Sequence, residues 1–146
     1  MRCTIYAILF TSIFLSCSKS KTFSPGLYGK WELRTNLGGS MAGGITYAPG
    51  NGNTISFSQD QRYIMTKNKE TIASGSFKIL TDNSASESVG LVLAPGKYNK
   101  RIDFEGYNNQ YTPKIFFELT SDTLSLLGGH FPLDYGMNDI YVKINE

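Results

Sequence analysis

Short runs of alternating apolar and polar residues recur along the chain, and they constrain its fold more than any other feature. In the first run, residues 27–34, the side chains of Leu27, Trp31 and Leu33 fall on one side, and more polar side chains alternate with them. A period of two residues is typical of a strand that buries one face. The pattern predicts nine strands, at residues 27–34, 54–58, 62–67, 73–80, 88–93, 100–105, 114–119, 123–127 and 139–144.

Turn-forming residues separate these runs at short intervals, and nowhere does the chain keep the spacing of an amphipathic helix. Because short connections join neighbouring strands in antiparallel order, we expect an all-β fold, an antiparallel up-and-down β-barrel of about eight to ten strands. A β-sandwich is the alternative architecture. The residues assigned to the inner face are Leu27, Trp31, Leu33, Ile55, Phe57, Tyr63, Met65, Phe77, Ile79, Val89, Leu91, Leu93, Ile102, Phe104, Ile115, Phe117, Leu119, Leu124, Leu126, Ile140, Val142 and Ile144.

The first residues of the chain differ in composition from the rest. Arg2 carries one positive charge, and residues 5–15 are apolar except for Thr11 and Ser12. A charged start followed by a short apolar stretch is typical of a signal peptide. As a helix this stretch would span about 17 Å, well short of the roughly 30 Å hydrocarbon core, so we expect it to be removed rather than to anchor the chain.

The residues Phe14-Leu15-Ser16-Cys17 resemble the lipobox of bacterial lipoproteins. The resemblance implies that the signal peptide is cut before Cys17, and that this cysteine carries diacylglycerol and a fatty acid such as palmitate. Ordinary signal-peptide cleavage at the small residues around Cys17 is the alternative, and it would discard the cysteine.

These features divide the chain into three parts. Residues 1–16 form the expected signal peptide, residues 17–25 the lipidated cysteine and a polar tether, and residues 26–146 a single domain. Eight extended residues reach at most about 28 Å, so the domain would stay close to the bacterial membrane that holds Cys17. Residues 18–21 lack the acidic side chains that mark surface lipoproteins of the Bacteroidetes. We therefore expect attachment to the outer membrane with the domain facing the periplasm.

The order of motifs carries a second resemblance. The first strand of the mature chain contains Gly29-Lys30-Trp31, a long loop follows, and the chain ends on a strand at residues 139–143. This arrangement resembles the lipocalin-like lipoproteins of the Bacteroidetes. Lipocalins carry a Gly-x-Trp motif on the first strand, so the resemblance implies that Trp31 closes the base of a barrel and that Lys143 packs over its ring. The lipocalin helix near the C-terminus is not visible in the sequence.

The connection at residues 36–53 is long and contains six glycines. Loops longer than about 12–15 residues are uncommon unless they are functional or disordered, so we interpret this one as a lid. An eight-stranded barrel is either filled by side chains or holds one small ligand. We expect a small hydrophobic ligand framed by Trp31, Phe57, Tyr63 and Tyr47, with a fully packed interior as the alternative.

Side chains that carry chemistry are scarce, which argues against an enzyme. The single histidine, His130, lies in a loop and has no second His or Cys to work with in the mature domain, so we expect no catalytic site, metal or cofactor. A formal net charge of +2 from scattered residues argues against nucleic acid as a partner.

The alternative function is a protein-interaction or inhibitor module of the cell envelope with a filled barrel and an unknown partner. Its contact surface would come from Tyr28, Tyr47, Tyr98, Tyr107 and Tyr111.

Overall fold

The computed structural model describes residues 25–38, 44–107 and 114–145. Its strands are β1 (Gly29–Asn36), β2 (Ile45–Thr46), β3 (Thr54–Phe57), β4 (Arg62–Lys67), β5 (Glu70–Thr81), β6 (Lys100–Phe104), β7 (Ile115–Leu119), β8 (Thr123–Gly128) and β9 (Met137–Ile144). One short helix, α1, spans Ala85–Val89, and 3₁₀ turns occupy Pro25–Leu27 and Phe131–Leu133. Eight of the nine predicted strands are confirmed, all except the one at residues 88–93.

Eight of the strands close into a barrel. From β3 to β9 each strand pairs antiparallel with the next, and β1 pairs with both β3 and β9. β9 pairs with one edge of β1 along most of its length. The short strand β2 pairs with Thr35 and Asn36 and therefore lies on the other edge of β1, beyond the part that pairs with β3. The closed sheet confirms the predicted up-and-down β-barrel and excludes the sandwich.

The barrel is covered at the end where β1 begins, which we call the closed end. Trp31 and Leu27 are fully buried there, and the Trp31 indole N–H donates a 2.7 Å hydrogen bond to the Leu27 carbonyl oxygen. The Lys143 amino group lies 5.1 Å from the centre of the Trp31 ring and donates to the Gly26 carbonyl oxygen at 3.1 Å. The 3₁₀ turn at Pro25–Leu27 is thereby fastened across the base of the barrel.

Aromatic rings fill the barrel above this base. The ring centres of Phe57 and Phe77 lie 5.0 Å apart with an interplanar angle of 77°, and those of Tyr63 and Phe104 lie 4.8 Å apart at 66°. Edge-to-face pairs of this kind are favourable beyond the area they bury. The interior is therefore packed with side chains in this region.

The strand predicted at residues 88–93 is wrong, because the segment begins inside α1. Gly90 ends this helix with a φ of 69°, the left-handed conformation that glycine adopts most easily. The side chains predicted on the inner face of the barrel from this segment are elsewhere: Val89 belongs to a separate cluster, Leu91 is exposed, and Leu93 packs at the edge of that cluster.

The helix α1 covers the outer wall of the barrel instead of extending the sheet. Ala85 and Val89, one helical turn apart, pack with Phe116 of β7 and Leu127 of β8. Within the described part of the chain, no helix has the length and apolar character needed to cross a membrane.

The buried face of β9 also differs from the prediction. Pairing places Lys143 opposite Trp31 and Tyr141 opposite Leu33, so the odd-numbered residues of β9 point into the barrel. Lys143 lays its aliphatic chain near the Trp31 ring, and Tyr141 packs its phenol ring on the core, so side chains with polar tips take inner positions. The residues wrongly assigned to the inner face are Ile140, Val142 and Ile144.

Candidate functional site

A cavity of about 260 Å³ lies at the end of the barrel opposite the closed end, and we call it the mouth cavity. Residues of β1, β3, β4, β5 and β9 line it, and so do residues that follow β2, β4 and β6. Three phenol groups, three apolar side chains and one carboxyl group lie around it, namely those of Leu33, Tyr47, Met65, Ile72, Tyr107, Asp139 and Tyr141. The other lining residues are polar: Asn53, Thr54, Thr66, Lys67 and Asn68.

A β-bulge in β1 shapes the polar side of the mouth cavity. The pairing of β1 with β9 shifts between Leu33 and Thr35, so that Asn36 stands opposite Asp139. The Asn36 side-chain amide donates a hydrogen bond to the Asp139 carboxylate, and the Tyr141 hydroxyl bonds to the same group. Burial raises the pKa of Asp139 above its ordinary value, and these two hydrogen bonds oppose the shift only in part. Burial likewise raises the pKa of the Tyr141 hydroxyl.

Asp139 is half-buried, whereas Glu32, on the outer face of β1, is a buried carboxylate. It accepts hydrogen bonds from the backbone N–H of Gly50 at 3.0 Å and of Gly52 at 3.4 Å, and from the Arg34 side chain. Glu32 is only 4% exposed, and this burial acts to raise its pKa. The hydrogen bonds, led by that of Gly50, outweigh the burial and hold the pKa of Glu32 below its ordinary value.

Through Gly50 and Gly52, Glu32 binds part of the lid predicted at residues 36–53. Gly52 has a φ of 76°, its carbonyl oxygen accepts from the Lys69 N–H at 2.9 Å, and a Cβ in its place would lie 2.8 Å from that nitrogen. The described part of the predicted lid is therefore bound to β1 and to the turn between β4 and β5, and it holds Tyr47 in the cavity wall. Residues 39–43 of the predicted lid lie outside the described residues.

The structure separates the predicted ligand-binding residues into two groups. Tyr47 lines the mouth cavity. Trp31, Phe57 and Tyr63 are 0%, 3% and 1% exposed and belong to the packed part of the barrel. The four side chains do not surround the mouth cavity together. Cys17, the predicted lipid attachment site, lies outside the described residues.

The prediction omits Asp139, Tyr141 and Tyr107 as site residues. The first two could have been found from the sequence, because a Lys143 that packs over Trp31 requires the residues two and four positions earlier to share its inner face. No sequence pattern marks Tyr107, which follows β6 outside any alternating run.

A larger groove of about 750 Å³ lies on the outer wall near the closed end, and we call it the outer groove. Outward side chains of neighbouring strands, Lys30, Ser56, Ile64 and Ile144, contribute to it. Phe57 and Tyr63, two of the predicted ligand-binding residues, also line the outer groove, although both side chains belong to the packed core of the barrel.

The described residues that line the two cavities include no His or Cys side chain. Among the described residues, no three His, Cys, Asp or Glu side chains come together as metal ligands. The His130 Nδ1 atom lies 3.3 Å from the Ser88 carbonyl oxygen, on the outside of the barrel. Comparisons with family models, curated proteins and solved structures found no match to this chain. We therefore interpret the mouth cavity from its own geometry.

Replacing Glu32 by alanine should loosen the segment that carries Tyr47, because the N–H groups of Gly50 and Gly52 lose their acceptor. We expect the free energy of unfolding to fall by about 1–3 kcal/mol and amide hydrogen exchange at both glycines to accelerate. The matched control is Glu118→Ala, which removes a partly exposed ion pair with Lys97 and should cost at most about 1 kcal/mol.

The same interaction should depend on pH. Because the pKa of Glu32 in the folded protein lies below its ordinary value, its contribution to stability is complete above that ordinary value and is lost as the pH falls through the lower, folded value. Exchange at Gly50 and Gly52 that is equally slow in wild type and Glu32→Ala would contradict this role.

Proposed function

We propose that this protein is a membrane-tethered, lipocalin-like lipoprotein of the bacterial cell envelope that binds a small, largely apolar molecule in the mouth cavity. The observation that carries the proposal is the mouth cavity itself, a concave site at one end of a closed β-barrel, with Leu33, Met65 and three tyrosines around it. Its apolar and aromatic side chains alternate with polar ones such as Thr54, Thr66 and Asp139. Apolar and aromatic walls with polar groups that orient the ligand are typical of small-molecule sites. The proposed role is binding, without catalysis, cofactor or metal.

The size of the mouth cavity limits the ligand. Pockets for drug-sized molecules usually measure about 300–1,000 Å³, and this one is about 260 Å³. Below it, the ring pairs of Phe57 with Phe77 and Tyr63 with Phe104 fill the barrel. The structure therefore favours a compact ligand over a long acyl chain that would need to reach the base.

The direction of the chain supports a particular orientation on the membrane. The described residues begin at Pro25, in the turn that covers the closed end, and the mouth cavity lies at the opposite end. In our proposal, Cys17 is lipidated, and residues 17–25 hold the closed end within about 28 Å of the outer membrane. The mouth cavity then faces away from the bilayer into the periplasm, where a ligand exchanges with water.

The alternative is a protein-interaction or inhibitor module of the cell envelope. The tyrosines expected to form its contact surface are half-buried where the structure describes them, at positions 28, 47, 98 and 107, and Tyr111 lies outside the described residues. The outer groove supports this second candidate better than the tyrosines do, because Ile64, which lines the groove, is 48% exposed and could contact a partner protein. A partner would then bind to the wall of the barrel rather than at its mouth.

The membrane anchor is tested by replacing Cys17 with alanine. This variant should lose incorporation of labelled fatty acid and move from the membrane to the soluble fraction. Cys3→Ala is the matched control, because Cys3 leaves with the proposed signal peptide, and it should stay labelled and membrane-bound. A Cys17→Ala protein that keeps both properties would show that the anchor is assigned to the wrong residue.

Ligand binding is tested with 2-phenylethanol, a compact neutral probe, by following the methyl NMR signals of Leu33 and Met65. We expect saturable shifts with a Kd of about 1 mM or tighter, roughly −4 kcal/mol. Met65→Trp fills part of the mouth cavity and should weaken binding at least about tenfold. Ile64→Trp adds the same ring on the outer side of the same strand and should leave binding unchanged.

If 2-phenylethanol does not shift these methyl signals, or if both tryptophan variants bind it as wild type does, the mouth cavity is not a ligand site. The interaction module would then be the better account of the protein.

A further inference from the structure

Asp139 occupies an unusual position for a carboxyl group. It lies on the inward face of β9 and lines the mouth cavity. Its hydrogen-bond partners among the described residues, the Asn36 amide and the Tyr141 hydroxyl, are both neutral. Asp139 is half-buried, and shielding a carboxylate from part of its water without a positive charge beside it is costly. A ligand that brings a positive charge would offset this cost.

Among the residues that the structure describes, none places a positive charge at this carboxyl group. Lys67, the one basic residue lining the mouth cavity, is exposed, and it is not among the groups that shift the pKa of Asp139. Residues 39–43 connect β1 to β2, and residues 108–113 connect β6 to β7. Their sequences contain no Lys, Arg or His, so neither connection can supply a positive charge to Asp139.

Three tyrosine rings, those of Tyr47, Tyr107 and Tyr141, line the same cavity as this carboxyl group. Burial first, and then the Asp139, Tyr107 and Tyr47 groups, raise the pKa of Tyr141. The negative face of an aromatic ring attracts a cation within about 6 Å of its centre. The thioether of Met65 adds a polarizable apolar contact to the same cavity.

We propose that the mouth cavity binds a compact organic cation, a protonated amine with a small apolar body, whose ammonium group lies between Asp139 and the tyrosine rings. This inference rests on the proposed function, because it names the ligand class of the same cavity. The ammonium group donates to the carboxylate oxygens that Asn36 and Tyr141 leave available. The apolar body contacts Leu33 and Met65.

Binding of such a cation should weaken in acid. The titratable groups facing the cavity are Asp139, the three tyrosines and Lys67, and Asp139 is the only carboxyl group among them. Because burial raises the pKa of Asp139, its carboxylate is lost on acidification sooner than that of an ordinary aspartate. The affinity for an ammonium ion should fall as the pH approaches this raised value, whereas the affinity for a neutral probe should not change.

The experiment compares three probes of similar shape, 2-phenylethylamine, 2-phenylethanol and 3-phenylpropanoate, by calorimetry on the protein purified after expression of the full chain. At neutral pH we expect the amine to bind at least about tenfold more tightly than the alcohol, and the carboxylate to bind weakest. Asp139→Asn keeps the shape of the side chain and should remove the preference for the amine while binding of the alcohol is retained. Asp122→Asn removes one negative charge from a turn at the closed end and should change nothing.

The outcomes separate this inference from the function it rests on. If the alcohol binds as tightly as the amine, or if Asp139→Asn leaves the preference intact, the cation assignment is wrong and the ligand cavity stands. If none of the three probes binds, both are wrong. The comparison of probes on wild type alone decides the question even where the variant folds poorly.

Discussion

The pairing of β1 with β9 is the constraint on which the rest of the structure depends. It closes the barrel, and its register sets Lys143 opposite Trp31 and Tyr141 opposite Leu33. Because side chains alternate along a strand, a slip of one residue would turn Asp139 out to solvent. The same register of β1 with β9 therefore determines both the packing of Lys143 on Trp31 at the closed end and the position of Asp139 in the mouth cavity.

The strands and the barrel could be predicted because a strand with one buried face has apolar side chains at every second residue, and this alternation is visible in the sequence. The prediction fails where that alternation misleads. Val89, Leu91 and Leu93 alternate as a strand would, yet the segment starts in a helix that Gly90 ends. In β9 both faces carry bulky side chains, and the apolar ones, such as Ile140, lie outside because the inner face uses the stems and rings of Lys143 and Tyr141.

The candidate site was less accessible to sequence reasoning because it depends on contacts between distant segments. The bulge that turns Asn36 toward Asp139 is a property of paired strands, and no pattern within β1 reveals it. Tyr47 lines the cavity because its N–H donates to the Arg34 carbonyl oxygen at 2.8 Å, and Glu32 binds Gly50 and Gly52 of the same segment. The glycines that suggested a mobile lid serve, in the described segment, to bring backbone N–H groups close to a buried carboxylate.

The most direct test of this account is a cross-strand disulfide between β1 and β9. Residues directly opposite on antiparallel strands have Cα atoms about 4.5–5.5 Å apart, within the range that a disulfide spans. In a Cys3→Ala, Cys17→Ala background, the pair Leu33→Cys with Tyr141→Cys should form a disulfide readily under mild oxidation, and Leu33→Cys with Ile140→Cys should not. Efficient crosslinking of the second pair in place of the first would mean that the opposite face of β9 is buried, and it would remove Asp139 from the mouth cavity.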